Sequence, residues 1–168
     1  MFYGAFILKK SDLSLVITEM NNKLECPLWH GEVNCIRRFY ELPKETRPNT
    51  KDCIFFSSHE PCSLCLSAIT WSGFDNFYYL FGHEDTRDSF EMPHDLKIMK
   101  EVFNCEPGSY NKKNFYWKCY SLKDMIKNCI EDENERKEIQ ERINKISKKY
   151  EEMFQIMKNY DSFKFSYL

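Results

Sequence analysis

The chain has 168 residues, a length at which one domain with a single core is the expectation. Its 14 Phe, 10 Tyr and 3 Trp are ample material for that core. A formal charge of −2 argues against a surface built wholly to grip nucleic acid, and no uninterrupted apolar run approaches a membrane span.

In chain order, FYGAFILKK (residues 2–10) and LSLVITEM (residues 13–20) are β-rich runs joined by a polar turn at Lys10–Asp12, which predicts a hairpin. The opening MFYGAFILKK has no basic leader and no small-residue cleavage site, so it does not read as a signal peptide. Asn21–Pro27 is a polar loop leading to His30. From Glu32 to Leu42, Val33, Ile36, Phe39 and Tyr40 fall at helical spacing, and Pro43 ends the helix. PKETRPNTKD (Pro43–Asp52) is a loop by its prolines and charges, and CIFFSS from Cys53 reads as a buried strand. Pro61 then opens a second helix at its first position, where its missing N–H does no harm. That helix carries Leu64, Ile69 and Trp71 and stops at Gly73. FDNFYYLFG from Phe74 is a strand, HEDTRDSFEMP a charged loop, HDLKIMKEVF a third helix, and NFYWKCYSL from Asn114 a last strand.

From Lys123 to Tyr160 the chain is dense in Glu, Lys and Asn and holds no Gly or Pro. Ile139, Ile143, Ile146, Tyr150, Met153 and Met157 recur at intervals of three and four, a single apolar seam. One or two long helices laid against the domain are expected, with a short coiled-coil dimer contact as the alternative. Residues 1–122 are therefore read as the functional domain and 123–168 as a helical extension. The alternation of strands and helices from the second strand onward predicts an α/β fold, and the opening hairpin makes its sheet mixed.

Eight Cys without a secretion signal point to reduced thiols and a cytoplasmic setting rather than a disulfide framework. WHGEVNC, beginning at Trp29, and HEPCSLC, beginning at His59, are the stretches that carry chemistry. His30 precedes one helix, and Cys62 and Cys65 lie on one face in the first turn of another. One imidazole and two thiolates suit tetrahedral Zn²⁺ and leave a fourth position for water, the pattern of a catalytic site. Helix N-termini favour the thiolate forms. Glu32 is placed to take a proton from the water and return it to a leaving group. Those parts suffice for water attack on an aromatic carbon whose amino group departs as ammonia.

H-x-E followed by P-C-x-x-C is the zinc deaminase signature, with the Glu not a ligand. On these residues the chain resembles the cytidine deaminase superfamily, and the run EPCSLCLSAITW is most similar to its guanine deaminase and nucleoside deaminase branch. The resemblance covers residues 2–82. It implies a three-layer α/β/α sandwich with a mixed, about five-stranded sheet, and a homodimer or larger assembly. It also implies substrate contacts at Asn21 (Asn22 being the close alternative), at Gly31 and Glu32 against the base ring, and at Trp71. Two departures stand out. The family's helix ahead of the first strand is missing, and the long C-terminal helix could cover that sheet face in its place. Trp29 stands where the family has a small residue, and Gly31 where it has Ala; Trp29 could stack on a base or narrow the pocket.

The function this implies is hydrolytic deamination of a nucleobase, nucleoside or nucleotide. A guanine-type purine comes first, cytosine or cytidine second, and adenosine in transfer RNA third. Nucleic acid is not favoured as a partner, although Lys145, Lys148 and Lys149 could form a local patch. The alternatives are a structural zinc site closed by Cys26 or Cys35 and a non-catalytic, zinc-stabilised interaction protein. Cys35, Cys53, Cys105, Cys119 and Cys129 read as buried small hydrophobes, and His59, His83 and His94 as loop or surface residues. His83, with Glu84, Asp85 and Asp88, is set apart because its loop follows a strand at the family's substrate edge. Trp71, Phe74, Phe77 and Tyr79 read as core by default.

Overall fold

The computed structural model describes residues 3–88, 94–106 and 110–158. Strands β1 (Gly4–Lys9) and β2 (Leu15–Met20) form the expected antiparallel hairpin, with Leu13 at φ 58° in its turn. Helix α1 (Gly31–Glu41) leads through a short 3-10 turn at Thr50–Asp52 to β3 (Cys53–His59), α2 (Ser63–Trp71) and β4 (Asn76–Phe81). Then come α3 (His83–Asp88), α4 (His94–Phe103), β5 (Lys118–Ser121), α5 (Leu122–Cys129) and α6 (Glu133–Lys158).

The five strands lie in the order β2-β1-β3-β4-β5. β1 is antiparallel to both of its neighbours, whereas β3, β4 and β5 run parallel. Parallel neighbours need a crossover, and α2 supplies it between β3 and β4. The sheet is therefore mixed and five-stranded, the fold is α/β, and a long helix closes the described chain, as the sequence predicts.

Strand periodicity makes the core. Ala5 and Ile7 of β1, Phe55 of β3, Phe77 and Tyr79 of β4 and Cys119 of β5 are buried with Cys35, Ile36 and Phe39 of α1 and Leu66 and Ile69 of α2. Phe74 and Trp117 complete that cluster. With the sheet ordered this way, β1 and β3 are central neighbours, and the helices that follow β2 and β3 both begin beside the site described below.

Several local expectations need correction. The segment opening at His83 is helix α3, not loop, because the Asp85 carboxylate accepts the Gly82 N–H at 2.8 Å and so satisfies a donor at the helix start. Residues 89–93 of that stretch lie outside the described residues. The last strand starts at Lys118 rather than Asn114: the Asn114 carboxamide oxygen accepts the N–H groups of Tyr116 and Trp117, holding a turn that leaves Phe115 and Tyr116 exposed. Pro61 stands one residue before the N-cap of α2, which is Cys62. Helix α2 buries Cys65, Leu66 and Ile69, so Leu64 and Trp71 fall on the outer face. Trp71 is 91% exposed and is not core. Phe74, Phe77 and Tyr79 are buried as expected.

Cys35, Cys53 and Cys119 are buried, but Cys105 is half-buried and Cys129 exposed. His59 and His83 are buried, not surface residues; the side chain of His94 is outside the described residues. The C-terminal segment is two helices, divided at residues 130–132. Along the seam of α6, Ile143 is buried, Ile139, Tyr150 and Met153 are half-buried, Ile146 is exposed, and the Met157 side chain is not described. The chain falls into two compact units that divide between Lys123 and Asp124. Among the described residues, no helix is long and apolar enough to cross a membrane.

Candidate metal centre and active site

The site is assembled from two helix starts and one strand. His30 is the N-cap of α1 and Cys62 the N-cap of α2, each with extended backbone (ψ 160° and 174°) and neither making a side-chain capping hydrogen bond. An N-cap side chain normally bends back onto the N–H groups of its own helix. Here both are left to point at one another. Cys65, one turn into α2, is fully buried and lies beneath them.

His30 Nδ1 lies 3.5 Å from Cys62 Sγ and 3.6 Å from Cys65 Sγ, and the two sulfurs are 3.7 Å apart. Tetrahedral zinc with bonds of about 2.3 Å to sulfur and about 2.1 Å to nitrogen would space those atoms about 3.6 Å (N to S) and about 3.8 Å (S to S). The three donor atoms thus already stand at the spacings the ion demands. Among the described residues, this trio is the set of side chains that could hold a metal; neither Cys26 nor Cys35 joins it.

Glu32, in the first turn of α1, is 5% exposed. Its Oε1 accepts the Ser57 hydroxyl at 2.9 Å, and its Oε2 lies 3.3 Å from Cys65 Sγ. The carboxylate therefore borders the trio without belonging to it. Burial, with the nearby Cys62, pushes its pKa up to about 6. The Cys62 thiol is drawn down to about 4, chiefly by its hydrogen bond with Cys65 and then by His30. Burial and the charge of its neighbours push Cys65 well upward. Cys35, raised to about 12 by burial, is an inert core thiol.

The loop before His30 is tied to the sheet. Asn21 and Tyr3 exchange hydrogen bonds: Asn21 N–H donates to the Tyr3 carbonyl at 2.9 Å, and Tyr3 N–H donates to Asn21 Oδ1 at 3.0 Å. Asn22 N–H donates to the Trp29 carbonyl, closing the loop, and the Asn34 side chain donates to the Met20 carbonyl. The Arg37 guanidinium sits 4.4 Å over the Trp29 ring, so one face of that indole is covered. At Gly31 a Cβ would come within 2.5 Å of the Tyr3 carbonyl oxygen, which accounts for glycine there. The structure thus brings His30, Glu32, Cys62 and Cys65 together, with Gly31, Trp29 and Asn21 on the adjoining chain. It does not bring Trp71: that residue ends α2, about 13 Å along the axis from Cys62 at 1.5 Å per residue.

Sequence reasoning missed Ser57. A serine between Phe55 and the strand end, on the inward face of β3 and 1% exposed, is a polar group at a core position and was the available signal. Also missed was the buried Glu60. It receives the backbone N–H of His83 at 3.0 Å and the Tyr110 hydroxyl at 2.5 Å, and pairs with Lys112 at 3.2 Å.

Fold and site together set one imidazole, two thiols and a buried carboxylate beside one another. The family model that matches, over residues 2–81, is the cytidine and deoxycytidylate deaminase zinc-binding region. Among curated proteins, the guanine deaminase of Bacillus subtilis (strain 168) is 32% identical over 103 residues, covering 60% of this chain and 62% of the relative. A probable cytosine deaminase of Schizosaccharomyces pombe is 25% identical over 92 residues, covering 55% and 51%. The chain thus spans less than two thirds of the length of either relative. Among solved structures, the guanine deaminase of Bacillus subtilis superposes with a TM-score of 0.47 at 26% identity, over 78% of this chain and 82% of that one.

Proposed function

We propose that the chain is a zinc-dependent hydrolytic deaminase of an amino-substituted nucleobase, free or within a nucleoside or nucleotide. The observation that carries this is the pairing of a preset three-donor set with a buried carboxylate that borders it and is not part of it. His30, Cys62 and Cys65 would hold the ion, whose charge would make thiolates of both cysteines. When bound, zinc supplies the acidity that readies water for attack at neutral pH.

The remaining work falls to the chain. Glu32 carries the proton: one of its oxygens is anchored by Ser57, the other faces the site, and a pKa near 6 suits both taking up and releasing a proton near neutrality. The proton goes to the departing amine, which leaves as ammonia. Asn21 and the open face of Trp29 seat the base, the first by its NH₂ and the second by stacking. Gly31 lets the first turn of α1 lie against β1, which keeps Glu32 beside the trio. Trp71 has no part in this site. The activity is assigned to residues 1–122, with 123–168 as a helical extension, and the same reading carries a homodimer that sedimentation checks.

A guanine-type purine is the first choice of substrate because the Bacillus subtilis relative named guanine deaminase shares 32% identity, and cytosine is second because of the Schizosaccharomyces pombe relative. The test is ammonia release by zinc-loaded protein from guanine, cytosine, cytidine, deoxycytidylate and adenosine. Turnover of one or more supports the reading, and failure of all five overturns it.

A further inference from the structure

We propose that His83 is a positioning residue for the metal site, acting through the peptide that carries Cys62. The inference rests on the zinc reading above and concerns residues outside the motif. His83 opens α3 directly after β4 and is 4% exposed. Its ring Nε2 lies 3.3 Å from the carbonyl oxygen of Pro61. That oxygen can only accept, so Nε2 donates, and the bond fixes the Pro61–Cys62 peptide plane whose nitrogen belongs to the N-cap residue of α2. Rotation of that plane would swing Cys62 Sγ away from His30 and Cys65. Cys62 Sγ meets His30 Nδ1 at 3.5 Å and Cys65 Sγ at 3.7 Å, the contacts such a rotation would break.

His83 is itself held. Its backbone N–H donates to Glu60 Oε2 at 3.0 Å, and its Nδ1 faces the same oxygen at 3.7 Å. The other oxygen of Glu60 accepts the Tyr110 hydroxyl and pairs with Lys112 Nζ, which also donates to the Tyr79 hydroxyl at 2.9 Å. The Tyr110 ring packs edge-on against the imidazole. Glu60 N–H, in turn, donates to the Phe81 carbonyl at 2.7 Å. A buried carboxylate with these partners ties the end of β3, the start of α3 and the 110–112 segment at the point where the cysteine helix begins. A group this buried holds its place because leaving any of its partners unmade is costly.

The experiment measures zinc affinity of the full chain by competition with a chromophoric chelator, and the thiolate-to-cobalt absorption of the Co²⁺ form. In His83→Leu and in the milder Tyr110→Phe, zinc binding should weaken by roughly 10–100-fold, the range found when outer partners of metal ligands are removed, with an altered cobalt band. His83→Gln, whose amide can donate to the Pro61 carbonyl, should recover most of the loss. Circular dichroism in chelator confirms that the compared chains are folded; should His83→Leu fail to fold, Tyr110→Phe decides. Wild-type affinity and cobalt absorption in the folded variants overturn the positioning role alone. Equal loss in His83→Gln and His83→Leu overturns it too, since packing would then explain the effect. A wild-type chain that binds no zinc overturns the metal-site reading, and this one with it.

Discussion

Helices α1 and α2 begin differently from α6. At α6 the Asp132 carboxylate accepts the N–H groups of Asn134 and Glu135 at 2.7 and 3.0 Å, an ordinary cap at the second and third helical positions. At α1 and α2 the same place is held by His30 and Cys62, neither of which makes the side-chain capping hydrogen bond that Asp132 makes. The difference teaches where stability has been given up for chemistry. At these two starts the side chains turn toward one another rather than back onto their own helix ends. The neighbouring chain compensates with ties from outside: Asn34 and Asn22 around His30, His83 and Glu60 around Cys62.

The contrast can be broken at the largest effect first. Glu32→Gln keeps the helix start and the three donors but removes the proton carrier. Turnover should fall about 10²–10⁴-fold while zinc content by metal analysis stays at one ion per chain. Undiminished turnover would remove Glu32 from its role.

Cys62→Ser sharpens the contrast directly, because serine is a good cap and a poor zinc ligand. Zinc affinity should fall by more than the roughly 10–100-fold typical of outer partners. In chelator, however, the denaturant midpoint should rise, reflecting about 0.5–1 kcal/mol of restored capping. A metal-free variant no more stable than the parent would show that the uncapped start of α2 carries no cost.

Ser57→Ala tests the anchor under Glu32. A hydrogen bond to a charged group contributes about 1.5–3 kcal/mol, so turnover should drop about 10–100-fold with little change in KM. A change confined to KM would place Ser57 with the substrate instead.

The smallest effect belongs to the ordinary cap. Backbone hydrogen bonds from Glu135 and Asn134 hold the Asp132 carboxyl below the usual carboxylate range. The native pKa being the lower one, its support for α6 is complete above the ordinary value of about 3.9 and is lost as pH falls through the depressed native value. Amide exchange at the first turn of α6 should quicken over that acid window, and in Asp132→Ala it should be quick at neutral pH as well.

Much of this was legible in the order of residues. The hairpin, α1 and β3 follow from period-2 and 3.6-residue patterns and from Pro43. The metal trio and Glu32 follow from H-x-E and P-C-x-x-C, whose short spacings are local facts that survive any packing. Other features were not. Trp71 of α2 looked like core, because an apolar residue is counted as buried until the packing of α2 says which stripe faces the sheet. His59 and His83 looked like surface groups because burial of a polar ring depends on partners far away in sequence.

By itself, then, the sequence determined the order of the five strands along the chain and the chemical type of the candidate donors. Those properties reside in residue types at fixed short separations along one backbone. Only the tertiary structure decided that two helix starts 32 residues apart meet within 3.5 Å, that Ser57 steadies Glu32, and that His83, Glu60 and Tyr110 lock the Cys62 peptide. Such contacts are made by the sheet order, which sets β1 beside β3, and by the burial that makes each polar group seek a partner wherever the chain happens to supply one.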